Sequence, residues 1–393
     1  MRNKRLDILR CIAVLTVLLH HSGASFFGRM GWIGVDLFFV LSGFLISGLL
    51  FSEFKRCQAI NLRRFFIRRG LKIYPAFYVF LILTGVAGQL VFHAHPNFAQ
   101  YFHEAIFVMN YAHGIWDHTW SLAVEEHFYI FLAVFLTALA RLSSDRENPF
   151  RAIPWSAAAI AFLCVLFRAF SVYVGKPNFH MTYTASHERM DSLFCGVLIG
   201  YLYHFEPVIL EETMRRGRNR TGIAIASTIL LSFAYFYGRD SRFFATFGYS
   251  FIYLGFAGVL LSSLYVRGIF SGRLASILKF GGSAAAYIGM YSYSIYLWHE
   301  PVAAWLPGVV RRTFGYPTGV YGRFAIYFAG SLAVGILMSK LVEYPLLRLR
   351  DRIIPDSHIM PVAGSVEIDP PNARVSEIEA GRPRILTGGL QTK

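Results

Sequence analysis

Charge is what this 393-residue chain has least of: Asp, Glu, Lys and Arg make up only 16% of it, where a soluble domain carries about a quarter. Hydrophobic residues reach 55% and aromatics 17%, and the mean hydropathy is +0.45. That excess of Phe and Tyr suits a membrane interior and its interfaces. Cysteine is also scarce. The four, Cys11, Cys57, Cys164 and Cys195, form no CxxC pair, which argues against a disulfide framework or a cysteine zinc site. No GxSxG, Walker or GxGxxG pattern stands in a strand–turn–helix context, so a covalent serine mechanism is not indicated. Acidic residues number 23 against 38 Lys and Arg, a formal charge of +15. The basic residues fall in short clusters between apolar runs, not on one soluble domain. The partner they imply is the lipid bilayer, not nucleic acid.

A bilayer core of about 30 Å needs about 20 helical residues. Ten segments approach that length, near 8–27, 33–53, 73–93, 120–141, 153–174, 190–205, 222–238, 245–265, 286–306 and 322–344. The expected fold is an all-α, polytopic membrane helix bundle. The first segment lacks a signal-peptide cleavage site and reads as a retained span. Lys and Arg prefer cytoplasmic loops, and they cluster in alternate gaps, at 2–5, 55–72, 141–151, 215–220, 267–279 and 340–352. The intervening gaps hold fewer, among them Arg29, Arg168, Arg189, Arg311 and Arg323, and 73–140 holds none. This alternation predicts both termini in the cytoplasm. From about Asp351 the hydropathy collapses into a polar, aperiodic stretch. Residues 351–393 are expected to be a disordered cytoplasmic tail behind a membrane domain of residues 1–350.

Polar residues inside apolar helices mark the candidate chemistry, because a membrane makes them costly. In "RLDILRCIAVLTVLLHH", Arg10 and His21 lie eleven residues apart. On a helix that is about 20° beyond three full turns and about 16 Å of rise, so they share a face while His20 points away. The bland reading is an arginine that snorkels to phosphates and histidines that cap the far end. In "HTWSLAVEEHFYIF", Ser121, Glu125 and Tyr129 recur every fourth residue on one face, and Glu126 and His127 fall off it. The alternative is glutamates favoured by a helix N-terminus. In "NLRRFFIRRGLKIYP", Arg64, Arg68 and Lys72 share helical spacing and Arg69 stands three before Lys72. Such a cluster anchors anionic headgroups or binds a phosphate-rich cytosolic ligand such as coenzyme A. In "GMYSYSIYLWHEPV", Ser292, Tyr296 and His299 share a face; interface anchoring is the competing reading. Asp36 opens the second span, among glycines placed for close helix contact, and Arg189 with Asp191 stands at the outer entrance of the sixth. The outer histidines His93, His95, His103, His113 and His118 lack a tight ligand spacing such as HExxH. They read as loop, and no metal site is expected.

In this order these motifs, with "GVDLFFVLSGFLI" and "RMDSLFCGVLIG", resemble acyltransferase family 3 over about residues 5–345. Those are bacterial multi-spanning enzymes that O-acylate glycans, lipids and some natural products. The resemblance implies an acyltransferase in the bacterial inner membrane. Its donor would be acyl-CoA, acetyl-CoA as the commonest, and its acceptor a hydroxyl of a surface glycan, lipid-linked sugar or small metabolite. No permanently bound cofactor is implied. The family's Arg, ten residues, His pattern falls on Arg10 and His21, and its WSLxxE glutamate on Glu125. Its RxxR pair falls on Arg69 and Lys72, where lysine keeps the charge but loses the bidentate fork. His21 and Glu125 are thus the catalytic candidates, with Glu125 orienting the imidazole or binding the acceptor. Arg10, Arg69 and Lys72 would bind acyl-CoA. Asp36, Ser121, Tyr129, Arg189, Asp191, Ser292, Tyr296 and His299 would contact the acceptor or support the site. Some relatives append an SGNH hydrolase-like domain. Without one, acylation would finish in the membrane or pass to a separate extracytoplasmic transferase. The rival class is a sugar or lipid transporter or flippase, since buried charge on many spans also describes a carrier.

Overall fold

In the computed structural model the described residues are 3–22, 30–92, 96–174, 176–265, 272–315 and 319–354, with backbone alone described for 272–279. His93, His95, Arg29, Arg267 and the tail from 355 lie outside them. Every regular element among the described residues is helical. In chain order they are α1 Lys4–His21, α2 Gly34–Cys57, α3 Leu62–Leu90, α4 Phe98–Ala105, α5 Trp120–Leu142, α6 Ile153–Tyr173, α7 Phe179–Thr184 and α8 Ser186–Phe205. Then follow α9 Pro207–Arg215, α10 Gly217–Phe236, α11 Tyr249–Tyr265, α12 Gly272–Met290, α13 Ser292–Phe314, α14 Val320–Met338 and α15 Tyr344–Ile353. Short 3₁₀ turns precede α2 (Gly31–Ile33) and α5 (Asp117–Thr119). Single π-turns precede α11 (Phe244–Gly248) and α15 (Ser339–Glu343). All four cysteines are free.

Among the described residues six segments are long and apolar enough to cross a membrane: Gly31–Cys57, Leu62–Leu90, Asp117–Leu142, Ile153–Tyr173, Phe244–Tyr265 and Val320–Ile353. A seventh is counted if Phe179–Phe205 and Pro207–Arg215, bent by 96°, form one span. α1 stays outside that set, and it carries Lys4, Arg5, Asp7 and Arg10 in its first two turns. Three expected boundaries move. The basic run before residue 73 is not a loop but the opening turns of α3, capped by Asn61, whose side chain accepts from the Arg64 backbone N–H at 3.0 Å. The expected span 286–306 crosses a break at Tyr291. The helix that follows runs on to Phe314, where Gly315 turns left-handed at φ 70°. Likewise α15 continues the helix through Ile353, past the expected start of the tail.

Close backbone approach sets the centre of the bundle. A Cβ on Gly43 of α2 would lie 1.9 Å from the Leu193 carbonyl oxygen of α8, and one on Gly196 would lie 2.1 Å from that of Val40. Only glycine permits this crossing, as at small-residue interfaces in membranes generally. It brings Asp36 of α2 against Arg189 of α8. Gly289 of α12 meets the Asp7 carbonyl of α1 in the same way, at 1.8 Å. Around these crossings a continuous cluster of buried Phe, Leu, Val and Tyr joins α1, α2, α3, α5, α8 and α13. Helices α1 and α13 pack side by side within it.

Candidate active site

Two cavities share the pair α1 and α13. The first, of about 230 Å³, is lined by Arg10 of α1, Arg69 and Lys72 of α3, Ser121, Glu125 and Glu126 of α5, and Ser292 and Tyr296 of α13. The second, of about 400 Å³, is lined by His21, the last residue of α1, and Ser22 after it, by Pro307, Gly308 and Arg311 of α13, and by Arg323 and Tyr327 of α14. Arg10 and His21 thus face different chambers, about 16 Å apart along one helix.

In the first cavity Arg69 is the organising charge. Its guanidinium lies 4.0 Å from the centre of the Tyr129 ring, and Nη2 is 3.8 Å from Glu125 Oε2. The Tyr129 hydroxyl donates to the same Glu125 oxygen and accepts from Ser42 at 2.6 Å. Arg69 Nε is buried with no hydrogen-bond partner among the described residues, and so is Glu126 Oε1. Buried donors of that kind are rare unless something else meets them. Glu126 was read as off the polar face, yet it lines this cavity, and its Oε2 accepts from the Tyr74 hydroxyl at 3.1 Å. His127 does fall away, with Nδ1 2.7 Å from the Ser186 hydroxyl. Arg10 Nη1 stands 3.5 Å from Asp7 of its own helix.

Between the cavities stands a partition of rings. The Tyr296 hydroxyl donates to the His118 carbonyl oxygen at 2.8 Å and lies 2.7 Å from the Ser121 hydroxyl. The His299 ring is centred 5.4 Å from Tyr296, 4.8 Å from His118 and 4.9 Å from His21. Glu300 reaches both sides: Oε2 is 3.0 Å from His118 Nδ1 and Oε1 is 3.5 Å from His21 Nε2. The carboxylate beside His21 is therefore Glu300, not Glu125, which the structure keeps on Arg69 in the other chamber. His21 Nδ1 lies 3.1 Å from the Val17 carbonyl oxygen. A carbonyl only accepts, so Nδ1 carries a proton, and Nε2 holds a lone pair when the ring is neutral.

His118 belongs to this partition and not to the loop histidines with which the sequence grouped it. Its turn is held from outside the spans by Glu104 of α4. Glu104 Oε1 accepts from the backbone of Ile115 and Trp116 and from the Thr119 hydroxyl, all within 2.9–3.0 Å. Burial pushes the Glu104 carboxyl above its usual range, and those three donors pull the other way.

Asp36, Arg189 and Asp191 line neither cavity. Arg189 Nη2 is 2.5 Å from Asp36, and Asp191 is 2.8 Å from Arg168, with all four side chains fully buried. Arg168 also donates to the Glu188 carbonyl and to Ser250. Arg189 lies 4.2 Å from the Tyr249 ring centre. These residues tie α2, α6, α8 and α11 together. Arg189 and Asp191 stand in the first two turns of α8, and Arg168 lies within α6 and not in a gap between helices; both arginines are buried, where an acid on a neighbouring helix meets each.

The comparisons agree with the motifs. A family profile described as an acyltransferase domain matches residues 3–340. The peptidoglycan O-acetyltransferase OatA of Listeria monocytogenes is 25% identical over 363 residues, 87% of this chain and 55% of its own length. The O-acetyltransferase OatA of Staphylococcus aureus strain NCTC 8325 is 27% identical over 319 residues, 76% and 50%. A strain COL protein carrying an O-acetyltransferase name is 29% identical over 321 residues, 77% and 50%. The chain spans about half the length of these relatives. No solved structure matches. With the profile covering nearly all of the membrane-embedded residues, the chain belongs to acyltransferase family 3.

Proposed function

We propose that the chain is a membrane O-acetyltransferase that moves an acetyl group from acetyl-CoA to a hydroxyl of a cell-surface or exported glycan. The observation that carries this reading is the arrangement along α1 and α13: a cavity lined by Arg10, Arg69 and Lys72 at one end and a cavity lined by His21 at the other. Peptidoglycan in the name of the Listeria relative supports a glycan acceptor.

In this reading Arg69, Lys72 and Arg10 hold the donor's phosphates, and the unpaired Nε of Arg69 gains its partner there. Glu125 and Tyr129 fix Arg69 in place. The pantetheine arm runs along α1 toward His21, a distance of about 16 Å, and passes when the Tyr296–Ser121 contact gives way. His21 Nε2 takes the proton of the acceptor hydroxyl. The oxygen attacks the thioester carbon, the carbon–sulfur bond breaks, and CoA leaves as thiolate to receive that proton. Glu300 stabilises the imidazolium at 3.5 Å, the part first given to Glu125. Ser292 supports the donor chamber and His299 the base.

The same reading has ten spans, an inner-membrane location, both termini in the cytoplasm, a membrane domain over 1–350 and a polar tail over 351–393. Either the membrane domain completes the transfer or a separate extracytoplasmic transferase does. The test has two arms. Mass spectrometry of surface glycans from a deletion strain should show loss of one acetyl mass. Purified protein with acetyl-CoA and that glycan should release free CoA. Accumulation of substrate in vesicles without acylation would instead establish a carrier.

A further inference from the structure

Three donor atoms converge beside His21. Among the described residues, one donor each from His21, His299 and Glu300 lie within 4.8 Å of one another. The backbone selects the nitrogens. His21 Nδ1 faces the Val17 carbonyl at 3.1 Å, and His299 Nδ1 faces the Tyr296 carbonyl at 2.5 Å. Both Nδ1 atoms therefore carry the proton, and both Nε2 atoms offer lone pairs. His299 is fully buried, and its Nε2 has no hydrogen-bond partner among the described residues. A buried polar atom left open in this way needs an explanation.

We propose that His21 Nε2, His299 Nε2 and Glu300 Oε1 form a three-ligand site for a divalent transition-metal ion of the Zn²⁺ class. Two imidazoles, one carboxylate and an open fourth position are the donor set such ions take in reactive sites. Hard ions such as Mg²⁺ and Ca²⁺ want six or more oxygens. A tetrahedral ion with bonds of about 2.0–2.1 Å holds its donors about 3.3 Å apart. The His21–Glu300 pair, at 3.5 Å, already has that spacing, and the widest pair closes by about 1.5 Å. The outer support is in place: each histidine gives its other nitrogen to a carbonyl, and the second Glu300 oxygen lies 3.0 Å from His118, the arrangement that orients metal ligands and raises their basicity. Of the three ligands, His21 lines the second cavity. Arg311 and Arg323 line that cavity too, so the donor atoms hold the cation and an anion suits the fourth site. The histidine spacings in the sequence gave no metal signal because the ligands come from opposite ends of the chain.

The ion takes the lone pair that acid–base work at His21 requires, so bound metal blocks transfer. This consequence rests on the proposed role of His21; the site itself does not. The test uses the purified full chain, stripped with a chelator and titrated with Co²⁺. One equivalent should bind with the visible absorption of a low-coordinate nitrogen–oxygen site, and Zn²⁺ should displace it. His299→Gln and Glu300→Gln should each weaken Co²⁺ binding at least about tenfold, while His187→Gln on α8 leaves it unchanged. Zn²⁺ should raise the melting temperature of the parent chain and not of the first two variants. Absence of a saturable Co²⁺ site, or one unaltered in both variants, overturns the proposal even where His21→Ala abolishes transfer. A saturable site in an enzyme that transfers at full rate with Zn²⁺ bound keeps the site and overturns the base role of His21.

Discussion

The buried ion pairs around Arg189 and the charged groups along α1 and α13 obey the same rule to different ends. Both put ionisable side chains inside apolar helices. Around Asp36, Arg189, Arg168 and Asp191 the pairs are fully buried, at 2.5 and 2.8 Å, and they line neither of the two cavities. Around Arg69, Glu125, His21 and Glu300 the contacts are longer, at 3.8 and 3.5 Å, and Arg69, Glu125 and His21 each line a cavity. Intramembrane charge alone therefore does not mark a reactive site. Access to a cavity does; a spare donor does not, since Arg189 Nε and Nη1 and Arg168 Nε also have no hydrogen-bond partner among the described residues. The first cluster holds helices in register, and the second is free to meet a ligand.

Substitution should separate the two. The largest effect on the protein is expected at the sealed cluster. Arg189→Met leaves the Asp36 carboxylate buried without its partner and should cost about 3–5 kcal/mol, read as a collapse in yield and a lowered melting temperature. The double variant Asp36→Leu with Arg189→Met should recover most of that loss, because removing both charges removes the penalty. If the single variant folds normally and loses transfer, the cluster is functional and the contrast fails. At the open cluster, Arg69→Gln should raise KM for acetyl-CoA about ten- to a hundredfold with little change in melting temperature. Restoring the arginine fork by Lys72→Arg should lower that KM by about two- to fivefold. The smallest effect is expected at His20, where Ala should leave the rate within about twofold, since that ring points away from the Arg10–His21 face.

Much of this site was readable as periodicity. The spacing of Ser121, Glu125 and Tyr129 put the first two at the first cavity and Tyr129 against Glu125 beside it, and the eleven-residue interval set Arg10 in the first cavity and His21 in the second. What periodicity could not supply was pairing across distant segments. Glu300 follows His299 directly and read as a helix end, yet Pro301 sits inside α13 and the helix continues past it. The acid therefore lies mid-helix, where it meets His118 from a turn 182 residues earlier in the chain. His118 itself was grouped with loop histidines because the buried Glu104 that folds its turn is twelve or so residues away in an unremarkable short helix. Glu126 illustrates the opposite limit. One helical face borders a cavity whose width exceeds a single stripe, so a residue 100° off the stripe still reaches it. Of the helices that carry the site's chemistry, α5 is apolar enough along its length to count as a span, and α1 and α13 are not.

The central claim, that the donor is held in one chamber and the proton is taken in the other, is tested most directly by steady-state kinetics of His21→Ala in purified, normally folded protein. The account predicts a fall in kcat of about 10²–10⁴-fold with KM for acetyl-CoA nearly unchanged, the converse of Arg69→Gln. Full transfer activity in His21→Ala at normal yield and melting temperature would contradict it.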